Sequence, residues 1–230
     1  MSDLEQMMRD IESEVAVTRH LIGKDHLDPR VLEAMRQVPR HEFVPADERS
    51  VAYLNGPLPI GCGQTISQPY IVALMTDLLA PTAGNVILEV GAGSGYQTAV
   101  LARLVQQVYS IERIPELADG ARERLQRLGY RNAEVRCGDG YRGWPERAPF
   151  DGIIVTAAAP HIPRPLVDQL KPGARLVLPV GGRFYGQTLV LVERGGDGAL
   201  HSRAVLDVAF VPLTGNGHDQ PAEITEPTLE

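Results

Sequence analysis

The chain is poor in cysteine, with 2 residues of this type among 230, and aromatic residues make up only 5% of it. Cys62 and Cys137 stand far apart and belong to no Cys-x-x-Cys pair or Cys/His cluster, which argues against a zinc site. We therefore expect free thiols, no bound metal and a cytoplasmic protein, because disulfides are rare in that compartment.

Long apolar runs and an excess of positive charge are also missing. No run approaches the roughly 20 residues of a transmembrane helix, and the start, MSDLEQMMRDIESE, lacks the apolar centre of a secretory signal. The formal net charge is -7, whereas binding along a phosphate backbone depends on Lys and Arg. We expect neither a membrane nor a nucleic acid as a partner.

Length and pattern together predict one α/β domain, since a chain of this size can bury a single large core. Short apolar strands alternate with amphipathic helices, which is typical of a Rossmann-like fold with a doubly wound, mostly parallel sheet. Gly-Gly-Asp-Gly at 195–198 predicts the turn of a C-terminal antiparallel hairpin. The predicted strands cover residues 85–90, 107–112, 133–137, 150–157, 174–179, 188–193 and 204–211.

The two ends of the chain differ from this alternating centre. Residues 2–22 and a second segment that starts at Asp28 predict an N-terminal helical extension. Residues 39–69 are dense in Pro and Gly without a sustained period, which favours an ordered functional loop. We expect residues 1–80 to pack as helices and an active-site loop on a cofactor-binding domain at 81–214, with a flexible tail at 215–230.

The segment VILEVGAGSGYQTAVLA (86–102) carries a strand through three glycines directly into a helix. Glycines let a backbone turn sharply and approach a ligand, and the helix start offers free N–H groups. Glu112 ends the next strand, where a carboxylate can accept both hydroxyls of an adenosine ribose. Tyr96 stands where dinucleotide-binding turns have a third glycine, which favours a ligand without a pyrophosphate, such as S-adenosylmethionine. The three glycines and the acid together favour such a ligand site over a strand-to-helix turn that binds nothing.

Two further carboxylates near this turn have more than one interpretation. Glu89 precedes the turn and could hold N–H groups of the loop or lie near the cationic methionine end of the cofactor. Asp139, in Cys-Gly-Asp-Gly, could receive the adenine amino group, which we favour, or form an Asx-turn.

Six segments together resemble the protein-L-isoaspartate O-methyltransferase family, in order from about Ile11 to Thr214. They are GCGQTISQP (61–69), EVGAGSGYQTAVLA (89–102), GDG (138–140), AAAP (157–160), LKPGARLVLPVG (170–181) and FVPLT (210–214). The resemblance implies a seven-stranded S-adenosylmethionine-dependent domain that esterifies the free α-carboxylate of L-isoaspartyl and D-aspartyl residues in damaged proteins and peptides. Such an ester closes to a succinimide, whose hydrolysis gives partial repair.

The resemblance also places functional residues. The active-site serine of the family falls on Ser67, although on pattern alone Ser67 is typical of a helix N-cap before Pro69. One small departure is Ala174, where a glycine is common. With Glu89, the predicted cofactor contacts are Gln64, Thr65, Ile66, Ser67, Gly91, Ala92, Gly93, Ser94, Glu112, Asp139, Gly140 and Thr214.

The chemistry of a carboxylate acceptor agrees with the absence of an obvious general base near the glycine turn. A free carboxyl group titrates near ~3.3–3.9 and is ionised at neutral pH. Three alternatives stay open: a methyltransferase for a small metabolite, a nicotinamide-dependent oxidoreductase, and a non-catalytic protein that binds partners. We expect a monomer that takes isoaspartyl proteins and peptides as substrates.

Overall fold

A computed structural model describes residues 2–182, 186–216 and 221–222. The six helices of this part are α1 (Asp3–Ile22), α2 (Pro29–Gln37), α3 (Pro69–Leu79), α4 (Tyr96–Ala102), α5 (Pro115–Arg127) and α6 (Arg164–Asp168). Its strands are β1 (Leu58–Gly61), β2 (Gln64–Ile66), β3 (Val86–Val90), β4 (Gln107–Glu112), β5 (Ala133–Cys137), β6 (Phe150–Val155), β7 (Leu170–Gly182), β8 (Gly186–Arg194) and β9 (Leu200–Val208).

Seven strands form one sheet in the order β5-β4-β3-β6-β7-β8-β9. The pairs from β5 to β7 are parallel, and β7–β8 and β8–β9 are antiparallel. The predicted Rossmann-like fold with a C-terminal hairpin is confirmed. Strands β7 and β8 extend beyond the predicted bounds at both ends, because backbone pairing continues past the apolar stretches that reveal a strand in sequence. Strand β9 begins four residues before the predicted 204–211 and ends at Val208, three residues before the predicted end.

The N-terminal helices cover one face of this sheet. Helix α1 is capped by Ser2, whose side chain forms a capping box with Glu5, and it buries Met7 and Ile11. Every residue of α3 is buried, so this helix lies inside the core between α1 and the sheet. No helix among the described residues is both long enough and apolar enough to cross a membrane.

The segment between α2 and α3 is ordered, as predicted, but contains structure that the sequence did not reveal. It forms two short 3-10 helices (Arg40–Phe43 and Ala46–Val51) and the two-stranded hairpin β1–β2. Gly61 and Gly63 have φ angles of 91° and 69° in the hairpin turn, a region that glycine adopts without strain.

Four residues of the predicted flexible tail are described, and two of them donate hydrogen bonds to the domain. The N–H of Asn216 donates to Asp139 Oδ2 at 2.9 Å, and the N–H of Ala222 donates to the Ile162 carbonyl at 3.1 Å. The rest of the tail, at 217–220 and 223–230, lies outside the described residues.

Candidate functional site

A cavity opens at the carboxyl ends of β3, β4 and β6, beside the point between β3 and β6 where the order of strands in the sheet reverses. Open α/β sheets bind their ligands at this position. It brings together all the predicted contact residues except Glu89 and Asp139. Those that line it are Gln64, Thr65, Ile66, Ser67, Gly91, Ala92, Gly93, Ser94, Glu112, Gly140 and Thr214.

The glycine turn requires glycine for its backbone and for space. Gly91 and Gly93 have φ angles of 98° and 54°, which side-chain-bearing residues rarely adopt. A Cβ on Gly91 would lie 2.4 Å from Thr156 Oγ1, and one on Gly93 would lie 3.2 Å from Ile60 Cδ1. The turn thus leaves its backbone exposed to the cavity.

Glu112 is held in place by two backbone groups of the cavity wall. Its Oε2 accepts a hydrogen bond from the Gly93 N–H at 2.8 Å, and its Oε1 accepts one from the Ile114 N–H at 2.9 Å. The residue is 7% exposed, and each carboxylate oxygen keeps a lone pair for another donor. This arrangement can accept two neighbouring hydroxyl groups, as the ribose prediction requires.

Glu89 lies beneath the turn, fully buried, and does not line the cavity. Its Oε2 accepts hydrogen bonds from Ser110 Oγ at 2.6 Å and from Thr98 Oγ1, so the carboxylate joins β4 to α4 and holds no N–H of the loop. Its Oε1 has no partner among the described residues. Burial raises the pKa of Glu89 to about 7, although the two hydroxyls act in the opposite direction.

Asp139 forms the Asx-turn that was the alternative to adenine binding. Its Oδ1 accepts from the Tyr141 N–H at 3.1 Å and its Oδ2 from the Asn216 N–H at 2.9 Å. The neighbouring Gly140 lines the cavity, and a Cβ there would lie 2.4 Å from Val90 Cγ1. Asp139 therefore shapes the loop that carries Gly140, and its contact with adenine stays a prediction.

Ser67 is half-buried and lies at the cavity wall, before α3. The N-cap of α3 is Gln68, and the N–H of Tyr70 in the first turn donates to Asn55 Oδ1 at 3.0 Å. The interpretation of Ser67 as a cap is therefore wrong, and its hydroxyl is available to a ligand.

A second cavity, of about 620 Å³, lies between α1, α3 and β9. It shares with the first cavity the residues Thr65, Ser67, Thr156 and Val211. A ligand in one cavity can therefore meet a ligand in the other beside the Ser67 hydroxyl.

The two linings contain few charged groups. The charged side chains are Glu112 and Arg113 in the first cavity and Glu14 and Asp207 in the second. Among the residues found to line them there is no His, Lys or Cys that could remove a proton from an acceptor. Within the described part of the chain, no group of three or more His, Cys, Asp or Glu residues could hold a metal ion. The site therefore suits an acceptor that is already ionised.

Arg40 belongs to the site but was not predicted. It is fully buried; its Nη2 donates to the Ser67 carbonyl at 2.7 Å and its Nε to the Ala52 carbonyl at 2.8 Å. Its guanidinium carbon lies 4.8 Å from the ring centroid of Tyr96, a cavity residue whose pKa burial raises to about 12. Arg40 thus joins the loop that carries Ser67 to the start of α4. Nothing in the sequence PRHEFVP distinguishes it from a solvent-exposed arginine.

Residues 12–218 match the family described as Protein-L-isoaspartate(D-aspartate) O-methyltransferase. A protein-L-isoaspartate O-methyltransferase 2 from Syntrophobacter fumaroxidans is 63% identical over 213 residues, which cover 93% of this chain and 86% of the relative. A protein of the same name from Nitrosococcus oceani is 60% identical over 221 residues, which cover 96% of this chain and 100% of the relative.

Two solved structures have the same fold over most of the chain. One, a protein-L-isoaspartate O-methyltransferase, has a TM-score of 0.81 at 28% identity and covers 93% of this chain, which spans just under two thirds (66%) of that longer chain. Another, from Plasmodium falciparum in complex with S-adenosyl-L-homocysteine, has a TM-score of 0.71 at 26% identity. The match covers 91% of this chain and 99% of that chain.

Proposed function

Because the chain belongs to the protein-L-isoaspartate (D-aspartate) O-methyltransferase family, we propose that it methylates the free α-carboxylate of L-isoaspartyl residues, and the side-chain carboxylate of D-aspartyl residues, in damaged proteins and peptides. The family predicted from the six sequence segments is confirmed by the match over residues 12–218. S-adenosylmethionine is the methyl donor of this reaction.

The observation that carries the proposal is the meeting of two cavities at Ser67, with no His, Lys or Cys among the residues found to line them. A hydroxyl or ammonium acceptor must lose a proton to become a nucleophile, whereas a carboxylate near neutral pH has lost it already. The site then needs only to align the acceptor oxygen with the methyl group and exclude water.

The first cavity fits the adenosine part of the donor. Glu112 would hold the ribose hydroxyls with its free lone pairs, and the backbone of the glycine turn and Gly140 would pack against the ligand. The donor supplies an activated sulfonium methyl group when bound. The loop residues 64–67 would close the cavity on the side of the acceptor.

Ser67 is the residue to which we assign contact with the acceptor. Its hydroxyl can donate one hydrogen bond to a carboxylate oxygen and leave the other oxygen free to attack. A charged donor would hold the anion more tightly and lower its nucleophilicity. A neutral hydroxyl therefore suits a reaction in which the carboxylate itself is the nucleophile.

The later steps need no further group of the protein. The backbone nitrogen of the next residue in the substrate attacks the ester carbonyl, methanol leaves, and a succinimide forms. Water then opens the ring at either carbonyl, so a fraction of the product is normal aspartate.

The same proposal covers the organisation of the chain. Residues 1–80 would form the substrate-facing layer, since α1, α3 and the segment before α3 supply much of the second cavity, and 81–214 would hold the cofactor. We also propose a cytoplasmic monomer that does not bind nucleic acid, on the basis of the two free, exposed cysteines and the net charge of -7. Light scattering during size-exclusion chromatography tests the monomer.

The direct test uses S-adenosylmethionine labelled on its methyl group and paired peptides that differ only in Asp or isoAsp at one position. We expect base-labile label in the isoAsp peptide alone. Equal labelling of both peptides, or of neither, would contradict the proposed acceptor.

A further inference from the structure

The second cavity carries negative charge on two of its walls. Glu14 lies on α1 and Asp207 on β9, and they are the only charged residues among those found to line it. Neither forms an ion pair within the described part of the chain. Asp207 accepts a 3.3 Å hydrogen bond from Thr188 Oγ1, which is a neutral donor. The two charges therefore remain uncompensated at the place where a peptide would lie.

Glu14 and Tyr70 both line this cavity and are joined through Thr18. Its carbonyl accepts from Thr18 Oγ1 at 2.7 Å, and Thr18 Oγ1 lies 2.6 Å from the Tyr70 hydroxyl. Burial and then the charge of Glu14 raise the pKa of Tyr70, which follows Ser67 by three residues. The carboxylate of Glu14 would therefore interact electrostatically with a charge on a peptide bound in this cavity.

Between the two carboxylates the cavity is largely apolar, with Pro57, Tyr70 and Phe210 in its lining. Lysine and arginine side chains pack their methylene stems on such surfaces and place the charged head at a carboxylate. An acidic side chain in the same position would be repelled. The lining thus complements a basic residue better than a neutral or acidic one.

We propose that this cavity makes the enzyme select isoaspartyl segments that carry a lysine or arginine within a few residues of the damaged site. The inference rests on the proposed function and adds a charge preference to it. Because both carboxylates are in contact with solvent, we expect a modest effect, about three- to tenfold in kcat/KM between a basic and an acidic neighbour.

The experiment uses isoaspartyl peptides of identical length in which one position, from two residues before to two after the isoaspartate, is Lys, Gln or Glu. With saturating S-adenosylmethionine, kcat/KM should fall in the order Lys, Gln, Glu at one or more positions, mainly through KM. Raising the salt to about 0.5 M should reduce the differences in kcat/KM between the three peptides, because salt screens the interaction between charges that are in contact with solvent.

Variants identify the source of the preference. Glu14→Gln and Asp207→Asn should each reduce the ratio between the Lys and Glu peptides, and the double variant should bring it to about one. Glu12→Gln is the matched control, since Glu12 is exposed on the same helix and does not line the cavity; it should leave the ratio unchanged.

Equal use of all peptides by the unmodified enzyme, or a ratio that persists in the double variant, would overturn the charge preference alone. Absence of methylation in every isoaspartyl peptide would instead contradict the proposed function, so the two failures are distinguishable.

Discussion

Replacement of Glu89 by glutamine should remove a pH dependence from the stability of this protein. The carboxyl group is fully buried, and its pKa in the folded state is about 7, raised from an ordinary value of 4.5. At about 1.4 kcal/mol for each pH unit, this difference corresponds to about 3 kcal/mol. Such a term is a large fraction of the 5–15 kcal/mol that typically separates folded from unfolded domains.

The sign follows from which state binds the proton more tightly. The folded state has the higher pKa, so the stabilisation from Glu89 is complete below pH 4.5, declines as the pH rises, and is lost above about pH 7. Glutamine cannot ionise. Its amide oxygen can still accept from Ser110 and Thr98, while its NH2 group would take the place of the unpartnered Oε1 at a cost that does not change with pH.

Urea unfolding of both proteins, without cofactor, at several values between pH 5 and pH 8.5 measures this effect. The free energy of unfolding of the original protein should fall relative to that of Glu89→Gln by about 2.5 kcal/mol across the range. Glu123→Gln, at an exposed position on α5, is the control and should run parallel to the original protein. Parallel curves for Glu89→Gln as well would refute the assignment of a raised pKa.

Three further changes test the site. Ser67→Ala should lower kcat by about 10- to 30-fold, the loss of one hydrogen bond in the transition state, with the cofactor Kd from calorimetry within twofold; a collapsed Kd and a normal kcat would make Ser67 a cofactor ligand instead. Glu112→Ala should weaken cofactor binding by about 10-fold or more, since it removes both acceptor oxygens, and an unchanged Kd would refute the ribose assignment. Arg40→Lys keeps the buried charge but loses the planar guanidinium group that donates to two carbonyls. We therefore expect kcat to fall about tenfold while the cofactor Kd stays near its original value. Equal losses in kcat and in cofactor binding, with a lower Tm, would point to general unfolding.

The features predicted well from sequence are those that a short stretch of chain determines. Strands 107–112 and 133–137 have the bounds of β4 and β5, because apolar residues bounded by polar ones mark a buried strand. The glycine turn and Glu112 were predicted together, because positive φ angles and a strand end are local properties. Ser67, by contrast, was singled out by family resemblance, since its pattern alone favoured a helix cap.

The features that were missed depend on contacts between distant parts of the chain. The β1–β2 hairpin is interrupted by proline and glycine, and its strands of four and three residues are too short for a pattern of alternation to identify them. Arg40 acts through carbonyl groups 12 and 27 residues away, and every residue has a carbonyl, so sequence offers no partner to look for. The roles of Glu89 and Asp139 likewise depended on Ser110 and Asn216, which only the folded chain brings near.

The small β1–β2 hairpin has a consequence for how the protein responds to its ligand. A two-stranded hairpin is at most marginally stable alone, yet this one supplies Gln64–Ile66 to the cofactor cavity and brings Ile60 close to Gly93. Ligand bound there adds stability to the state in which the hairpin is docked. Backbone amides of the hairpin should therefore exchange with deuterated solvent more slowly when the cavity is filled, and those of the distant β5 edge should change little.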